Sequence, residues 1–211
     1  YTVNYKKTHS QTLLPMLDEI VKMTELELES IDAIAVAAGP GSFTGLRIGS
    51  ATAKGLGLAL KKPLVAVPTV DALAYNLYDA QGLICPIMDA RRNQVYAAFY
   101  MWENGKLIRL TDHMAESIER VIEIAEMLEH EVIFLGDGVP VHRERLEQNP
   151  AFLFAPAHCN MQRASAVATL GAIMAEEGLA KPGNAFELIY LRKSQAERER
   201  EARLAKEEAG E

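Results

Sequence analysis

Residues 31–60 constrain the fold more than any other part of the sequence. The apolar run IDAIAVA at 31–37 predicts a buried strand, and the glycine-rich turn GPGSFTG follows it at 39–45. Small and apolar residues then continue from about Phe43 to Leu60, which predicts a helix. A strand, a glycine-rich turn and a helix in this order indicate an α/β fold. The same order is also the arrangement in which many proteins cradle phosphate groups.

The glycine-rich turn does not match either common nucleotide-binding pattern. A Walker loop needs Gly-Lys-Ser/Thr, but Gly45 is followed by Leu46 and Arg47. The dinucleotide pattern GxGxxG is also missed, because Gly39, Gly41 and Gly45 form GxGxxxG, which is one residue longer. An anion bound at the helix N-terminus stays open as an interpretation.

Small residues recur every fourth position along this helix, and they predict a close contact. The series is Gly41, Gly45, Gly49, Ala53 and Gly57. Each glycine inside a helix costs roughly 0.5–1 kcal/mol relative to alanine, so close approach by another backbone is a reason to keep it. Spacing alone leaves two alternatives open. The approaching element belongs to this chain, or the helices at 10–28 and 43–60 together present a surface to another protein.

The rest of the sequence alternates strand and helix patterns and divides near residue 80. The helix predicted at 10–28 has Pro15 in its first turn and carries an apolar stripe that includes Leu13, Leu17 and Ile20. A change of texture near Gln81, where β-hairpin patterns begin, predicts two lobes. We therefore predict an N-terminal lobe at 1–80, a C-terminal lobe at 81–192 and a charged tail at 193–211.

Composition narrows the class of protein. The net charge of −7 argues against a surface that follows nucleic-acid phosphates without help from a partner. Cys85 and Cys159 form no CxxC pair, and no apolar run approaches the ~20 residues of a membrane span. We therefore expect a cytoplasmic protein that does not enter a membrane. The chain opens at Tyr1 inside the strand-like stretch YTVNYKK, so we also expect strand residues to precede it.

Several segments together are similar to the bacterial TsaB family, also called YeaZ. The similar segments are HSQTLLPMLDEI, GPGSFTGLRIGSATAKGLGLAL, PLVAVPTVDALA, IMDARRNQVYAAFY, FLGDG and IYLRKSQAE. They extend from about His9 to Glu197, and GPGSFTGLRIG is the most specific of them. The resemblance implies an actin-like ATPase fold of the sugar-kinase, heat-shock and actin type, with two lobes. The family's opening strands would lie before Tyr1.

The resemblance also implies a function and a set of partners. The family takes part in making N6-threonylcarbamoyladenosine at position 37 of tRNA, as a non-catalytic scaffold that binds and activates the TsaD transferase. TsaE, an ATPase, joins this assembly, and tRNA is reached only through the complex. Family members bind TsaD through their first two helices. When alone, they form homodimers through the same surface. The residues expected to bind the partner are Leu13, Leu17, Ile20, Gly45, Gly49 and Ala53.

The sequence shows little that would support catalysis by this chain itself, so we expect no catalytic residue, metal or cofactor. A TsaD-type metal site uses two histidines four residues apart, and no two histidines here have that spacing. Ser42 does not lie in a GxSxG nucleophile turn. Asp89, with Arg91 and Arg92, predicts an ion pair in a surface turn.

Asp137 supports two interpretations and leaves an alternative function open. In the segment GDG it is either a nucleotide-contacting turn of an actin-like fold or an aspartate that caps the following helix. The alternative function is an ATP-dependent small-molecule kinase or hydrolase of the same fold. Its phosphate-binding aspartate would lie in the strands expected before Tyr1.

Overall fold

The computed structural model describes residues 9–192, and it places helices and strands in alternation. The helices are α1 (His9–Thr24), α2 (Phe43–Leu60), α3 (Thr69–Ala74), α4 (Ile118–Met127), α5 (Val139–Leu146) and α6 (Ala164–Glu176). The strands are β1 (Ile34–Gly39), β2 (Leu64–Pro68), β3 (Leu83–Asp89), β4 (Gln94–Ala97), β5 (Tyr100–Glu103), β6 (Lys106–Arg109), β7 (Met114–Ser117), β8 (Val132–Leu135) and β9 (Phe152–Phe154). The predicted α/β class is confirmed. The stretch YTVNYKK and the tail at 193–211 lie outside the described residues.

The first sheet consists of β1 and β2, which run parallel from the pair Ile34 and Leu64 to the pair Ala37 and Val67. One face packs against α2, in a cluster that contains Ala53 and Leu64. The other face packs against α6. Because both faces of the strand pair are covered by helices, both strands are rich in apolar residues.

Residues near the C-terminal end of the described chain pack on this first sheet. Helix α6 packs on β1 and β2, and Phe186 joins Ala53 and Leu64 in their core cluster. The two sheets are formed by residues on either side of residue 80, whereas the segment from α6 to Phe186 packs on the first sheet. The division into lobes at 1–80 and 81–192 stays a prediction.

The second sheet is built around β3. The strand order is β6-β5-β3-β4-β7, and β8 also pairs with β3 and with β9. Strands β3 and β8 are parallel, whereas β3 is antiparallel to β4 and β5. The core between this sheet and α4 is fully buried, with Phe99, Ile118, Val121 and Phe134 each 0% exposed. Burial on this scale is the main stabilising contribution to the lobe.

The boundaries of α2 follow directly from its sequence. Ser42 precedes the helix, and its hydroxyl accepts a hydrogen bond from the Gly45 amide at 3.4 Å. At the other end Lys61 adopts a left-handed conformation with φ of 55°, and its amide reaches the Gly57 and Leu58 carbonyls. The predicted helix at 43–60 is therefore confirmed.

Candidate partner-binding surface

Helices α1 and α2 lie side by side at the N-terminal part of the described chain. Leu13, Leu17 and Ile20, the three residues predicted on α1, are all half-buried. Leu14 and Met23 on the same helix are 55% and 66% exposed. A helix with this many accessible apolar side chains has a face that the described residues do not fully cover.

Gly45 and Gly49 on α2 have space around them. A methyl group added at Gly49 would meet the side chain of Val36 at 3.9 Å, which is an ordinary contact. One added at Gly45 would meet only Ser42, at 3.4 Å or more. Packing among the described residues therefore does not require glycine at either position. We use the name α1–α2 surface for Leu13, Leu17, Ile20, Gly45 and Gly49.

Ala53 and Gly57 belong to the same series but lie against the chain's own core. Ala53 is 5% exposed, and a methyl group at Gly57 would come within 2.9 Å of Leu64. Four residues turn an α-helix by about 400°, so each step of the series moves about 40° around the helix. The series therefore starts at an accessible position and ends inside the core. Ala53 therefore packs mainly on the home sheet, and its contact with a partner stays a prediction.

An apolar groove brings several of the predicted residues together. It has a volume of about 1000 Å³, and Leu13, Leu17, Gly49 and Ala53 are among its lining residues. Residues 32–37 and one side of α6 complete its walls. Ile20 and Gly45 lie outside it. Within residues 9–192, β1 pairs as a strand only with β2, and part of β1 lines this groove. A groove of this composition accepts an apolar helix or an extended segment, and the strands expected before Tyr1 are one such segment.

An aromatic cluster with an arginine lies at the start of α2. The rings of Phe43 and Tyr190 are 5.4 Å apart between centroids, and the Arg47 guanidinium lies 4.0 Å above the Phe43 ring. The Arg47 Nε also donates to the Tyr190 hydroxyl at 3.5 Å. These contacts fix the C-terminal segment near residue 190 against the glycine-rich turn.

The Asp89 turn differs from the predicted ion pair. The Asp89 carboxylate accepts a hydrogen bond from the Arg91 amide at 2.8 Å. Arg91, Arg92 and Asn93 all adopt positive φ, between 56° and 63°. No salt bridge joins Asp89 to Arg91 or Arg92, so the carboxylate stabilises the turn through the backbone.

Asp137 does not cap the helix that follows it. Helix α5 has Gly138 as its N-cap and receives no side-chain cap. The Asp137 carboxylate instead accepts from the Asp89 amide at 3.2 Å. Burial raises the pKa of Asp137, and the nearby Asp89 charge acts in the same direction. The capping interpretation is therefore wrong, and the nucleotide-contacting interpretation stays a prediction.

Sequence reasoning missed a polar network that joins α3 to the second sheet. Asp71 on α3 accepts from the Tyr100 hydroxyl at 2.6 Å and lies 2.5 Å from His113 Nε2. Arg109 adds a charge 3.8 Å from the same carboxylate. Burial raises the pKa of Tyr100, and Asp71 contributes to the shift. The partners are far apart in the chain, so no local pattern could have revealed the network.

Two kinds of feature are absent from residues 9–192. No three His, Cys, Asp or Glu side chains in that range form a group that could hold a metal ion. None of the helices described there is long and apolar enough to cross a membrane.

Comparison with known families defines the class. A family described as TsaD, tRNA N6-adenosine threonylcarbamoyltransferase, matches residues 4–199. The chain belongs to this family, and the predicted actin-like fold is confirmed.

Within this class, the curated relatives confirm the resemblance to TsaB. The chain is 35% identical to the Bacillus subtilis "tRNA threonylcarbamoyladenosine biosynthesis protein TsaB", over 70% of this chain and 64% of that protein. It is 34% identical to the Escherichia coli protein of the same name, over 63% of this chain and 58% of that protein. The chain thus spans less than two thirds of the length of these relatives.

Two solved structures share the fold. One is described as an uncharacterized protein with similarity to peptidase YEAZ from Pseudomonas aeruginosa. It is 27% identical, has a TM-score of 0.75, and the match covers 88% of this chain and 85% of that one. The other is YeaZ from Pseudomonas aeruginosa, with a TM-score of 0.72 and 24% identity over 88% of this chain and 86% of that one.

Proposed function

We propose that this chain is a non-catalytic subunit that binds and activates a TsaD-type transferase during formation of N6-threonylcarbamoyladenosine at position 37 of tRNA. The observation that carries the proposal is the α1–α2 surface, where packing among residues 9–192 leaves Gly45 and Gly49 with open space. The names of the relatives support the pathway. We expect the assembly to act in the cytoplasm and to include a TsaE-type ATPase.

The composition of the surface suits a helical partner. Small residues on one helix allow another helix axis to come close, so that side chains from the partner pack against the exposed backbone. On the neighbouring helix, Leu13 and Leu17 supply apolar area that docking would remove from water. Each fully buried leucine contributes about 1.5–3 kcal/mol relative to an exposed one.

Similarity between this chain and its proposed partner supports the geometry of the complex. The chain is 44% identical over 69 residues to a tRNA N6-adenosine threonylcarbamoyltransferase of Protochlamydia amoebophila. Two chains of one fold can present corresponding helices to each other around a local two-fold axis. The same arrangement allows two copies of this chain to form a homodimer when the transferase is absent.

The alternative is an ATP-dependent small-molecule kinase or hydrolase. It is favoured by Asp137, because a partly buried carboxylate with a raised pKa beside a second carboxylate is typical of sites that do chemistry. In this alternative Asp89 and Asp137 act directly on the nucleotide or its metal. In the proposed function Asp89 only stabilises the turn between β3 and β4, and Asp137 only joins the β8–α5 connection to that turn through the Asp89 amide.

A complementation experiment tests the proposal against the alternative. The gene is deleted in its host, and digested tRNA nucleosides are measured by mass spectrometry with the wild-type gene or Asp137→Asn restored. We expect deletion to remove the threonylcarbamoyl nucleoside and both genes to restore it, because asparagine keeps the acceptor for the Asp89 amide. Loss of the nucleoside with a folded Asp137→Asn protein would contradict the non-catalytic role, because the pathway would then need chemistry at this carboxylate. Unchanged nucleoside after deletion would contradict the pathway itself.

A further inference from the structure

A cleft at the C-terminal end of α2 is lined by half of the lysines that the structure describes. It has a volume of about 820 Å³, and Lys54, Lys61 and Lys62 are among its lining residues. Lys181 immediately precedes Pro182, which also lines the cleft. Within residues 9–192, the lysines elsewhere are Lys22 and Lys106. The chain has a net charge of −7, so the positive charge at this cleft is opposite in sign to that of the chain as a whole.

These lysines are not neutralised by neighbouring carboxylates. The salt bridges formed among residues 9–192 involve Lys22 and several arginines, and none involves a lysine of the cleft. The residues that line the cleft include no aspartate or glutamate. The charges are therefore available to an anionic ligand.

Two of the ammonium groups are held in position. Lys62 Nζ donates to the backbone carbonyl of Glu29 at 3.0 Å, which leaves its charge unpaired. Lys54 Nζ lies 5.6 Å from the centre of the Phe186 ring, and both residues are at least partly buried. Ordering these long side chains beforehand lowers the entropy cost of binding a ligand.

The end of α2 explains part of this arrangement but not all of it. Helix C-termini carry a partial negative charge, so Lys61 and Lys62 directly after Leu60 also stabilise the helix. Lys54 lies two turns earlier and Lys181 is on a different segment, so the helix end does not account for them. Lys54 lines the cleft from within α2, and Lys181 lies between the lining residues Ala180 and Pro182, so positive charge from two segments borders the cleft.

We propose that this lysine cleft binds the phosphate backbone of the tRNA on which the complex acts. The proposal rests on the proposed function, because a partner holds the tRNA near this chain. Lysines recognise phosphates as point charges, and the described residues that line the cleft include no aromatic side chain that could stack a base. The contact is therefore made to the backbone and is independent of base sequence. Asn184, which lines the same cleft, offers an amide to a phosphate or ribose oxygen.

A pair of double variants with equal charge change tests the cleft. The complex of this chain with its cognate TsaD-type transferase is titrated with fluorescein-labelled tRNA, and fluorescence anisotropy gives the dissociation constant at several salt concentrations. One complex carries Lys61→Glu with Lys62→Glu, and the control carries Lys22→Glu with Lys106→Glu. Co-precipitation of the transferase is measured on the same samples.

The cleft variant should weaken tRNA binding about tenfold or more near 0.1 M salt, while the control changes it less than twofold. The plot of log affinity against log salt should become shallower by about 1.4–1.8, because two phosphate contacts are lost. Equal weakening by both variants, or unchanged binding by the cleft variant with the transferase retained, would overturn the proposal. If the wild-type chain retains no transferase, the proposed function fails. Titration of the isolated wild-type chain and both variants with tRNA at low salt then tests the cleft separately, and equal binding by the two variants would overturn the proposal.

Discussion

Glycine-to-alanine exchanges along α2 separate positions that the chain itself requires from positions that it leaves free. Gly49 and Gly55 have room for a methyl group. A Cβ added at Gly49 would lie 3.9 Å from its nearest neighbour, Val36, and one added at Gly55 would have no neighbour within 4 Å. Gly57 has no such room, because its new carbon would lie 2.9 Å from the Leu64 side chain and 3.0 Å from the Lys62 carbonyl oxygen.

The expected free energies of unfolding follow from these distances. Alanine is favoured over glycine inside a helix by roughly 0.5–1 kcal/mol, so Gly49→Ala and Gly55→Ala should each stabilise the protein by that amount. For a chain of this size, 1 kcal/mol corresponds to a rise in Tm of about 2–4 °C. Gly57→Ala gains the same helix preference but forces backbone and core atoms apart, which costs about 1–3 kcal/mol. It should therefore be neutral or destabilising.

Urea unfolding followed by circular dichroism measures all three variants against wild type. The predicted order of stability is Gly49→Ala and Gly55→Ala above wild type, with Gly57→Ala at or below it. A clear loss of stability in Gly49→Ala would show that the full-length chain packs something against this position. The glycine would then serve the chain's own fold, and the α1–α2 surface would not be free for a partner.

Three further predictions concern buried polar groups. Burial lowers the pKa of His142, so folding stability should be lost as pH falls below about 6.5, and His142→Leu should show a shallower loss between pH 7 and 5.5 in thermal unfolding. An equally steep loss in the variant would refute this. Burial raises the pKa of Asp137, so its carboxylate penalises the fold increasingly as pH rises above about 3.8. Asp137→Asn should therefore raise Tm at pH 7 and lose that advantage near pH 4; no gain at pH 7 would contradict the account. Tyr100→Phe removes a 2.6 Å hydrogen bond to Asp71 and should cost about 1.5–3 kcal/mol in urea unfolding, whereas a cost near zero would show that the bond is not needed.

Local features of the chain were predictable because neighbouring residues determine them. Ser42 and the small residues after it define α2, and the structure gives that helix the predicted bounds. Helix α1 ends at Thr24, earlier than predicted, because Glu25 adopts a φ of 51° and leaves the helical conformation. The apolar periodicity continues past that point, so it gave no sign of the early end.

Features that depend on distant residues could not be predicted. The stretch 95–102 looks like one strand, but β4 and β5 are separate because they pair with different parts of β3. The return of α6 to the first sheet and the burial of Ala53 between α2 and that sheet likewise depend on where remote segments pack. For the candidate surface, spacing identified the glycine series, whereas its drift into the core required the position of the home sheet.

Binding of the cognate TsaD-type transferase by the full-length protein tests the central proposal most directly. Isothermal titration calorimetry compares wild type with Gly49→Leu and Gly55→Leu. The two variants carry the same exchange on one helix, at positions about 120° apart around its axis. If the α1–α2 surface docks the transferase, Gly49→Leu should weaken binding at least tenfold, and Gly55→Leu should bind within twofold of wild type. A folded Gly49→Leu protein that binds the transferase as tightly as wild type would contradict the account.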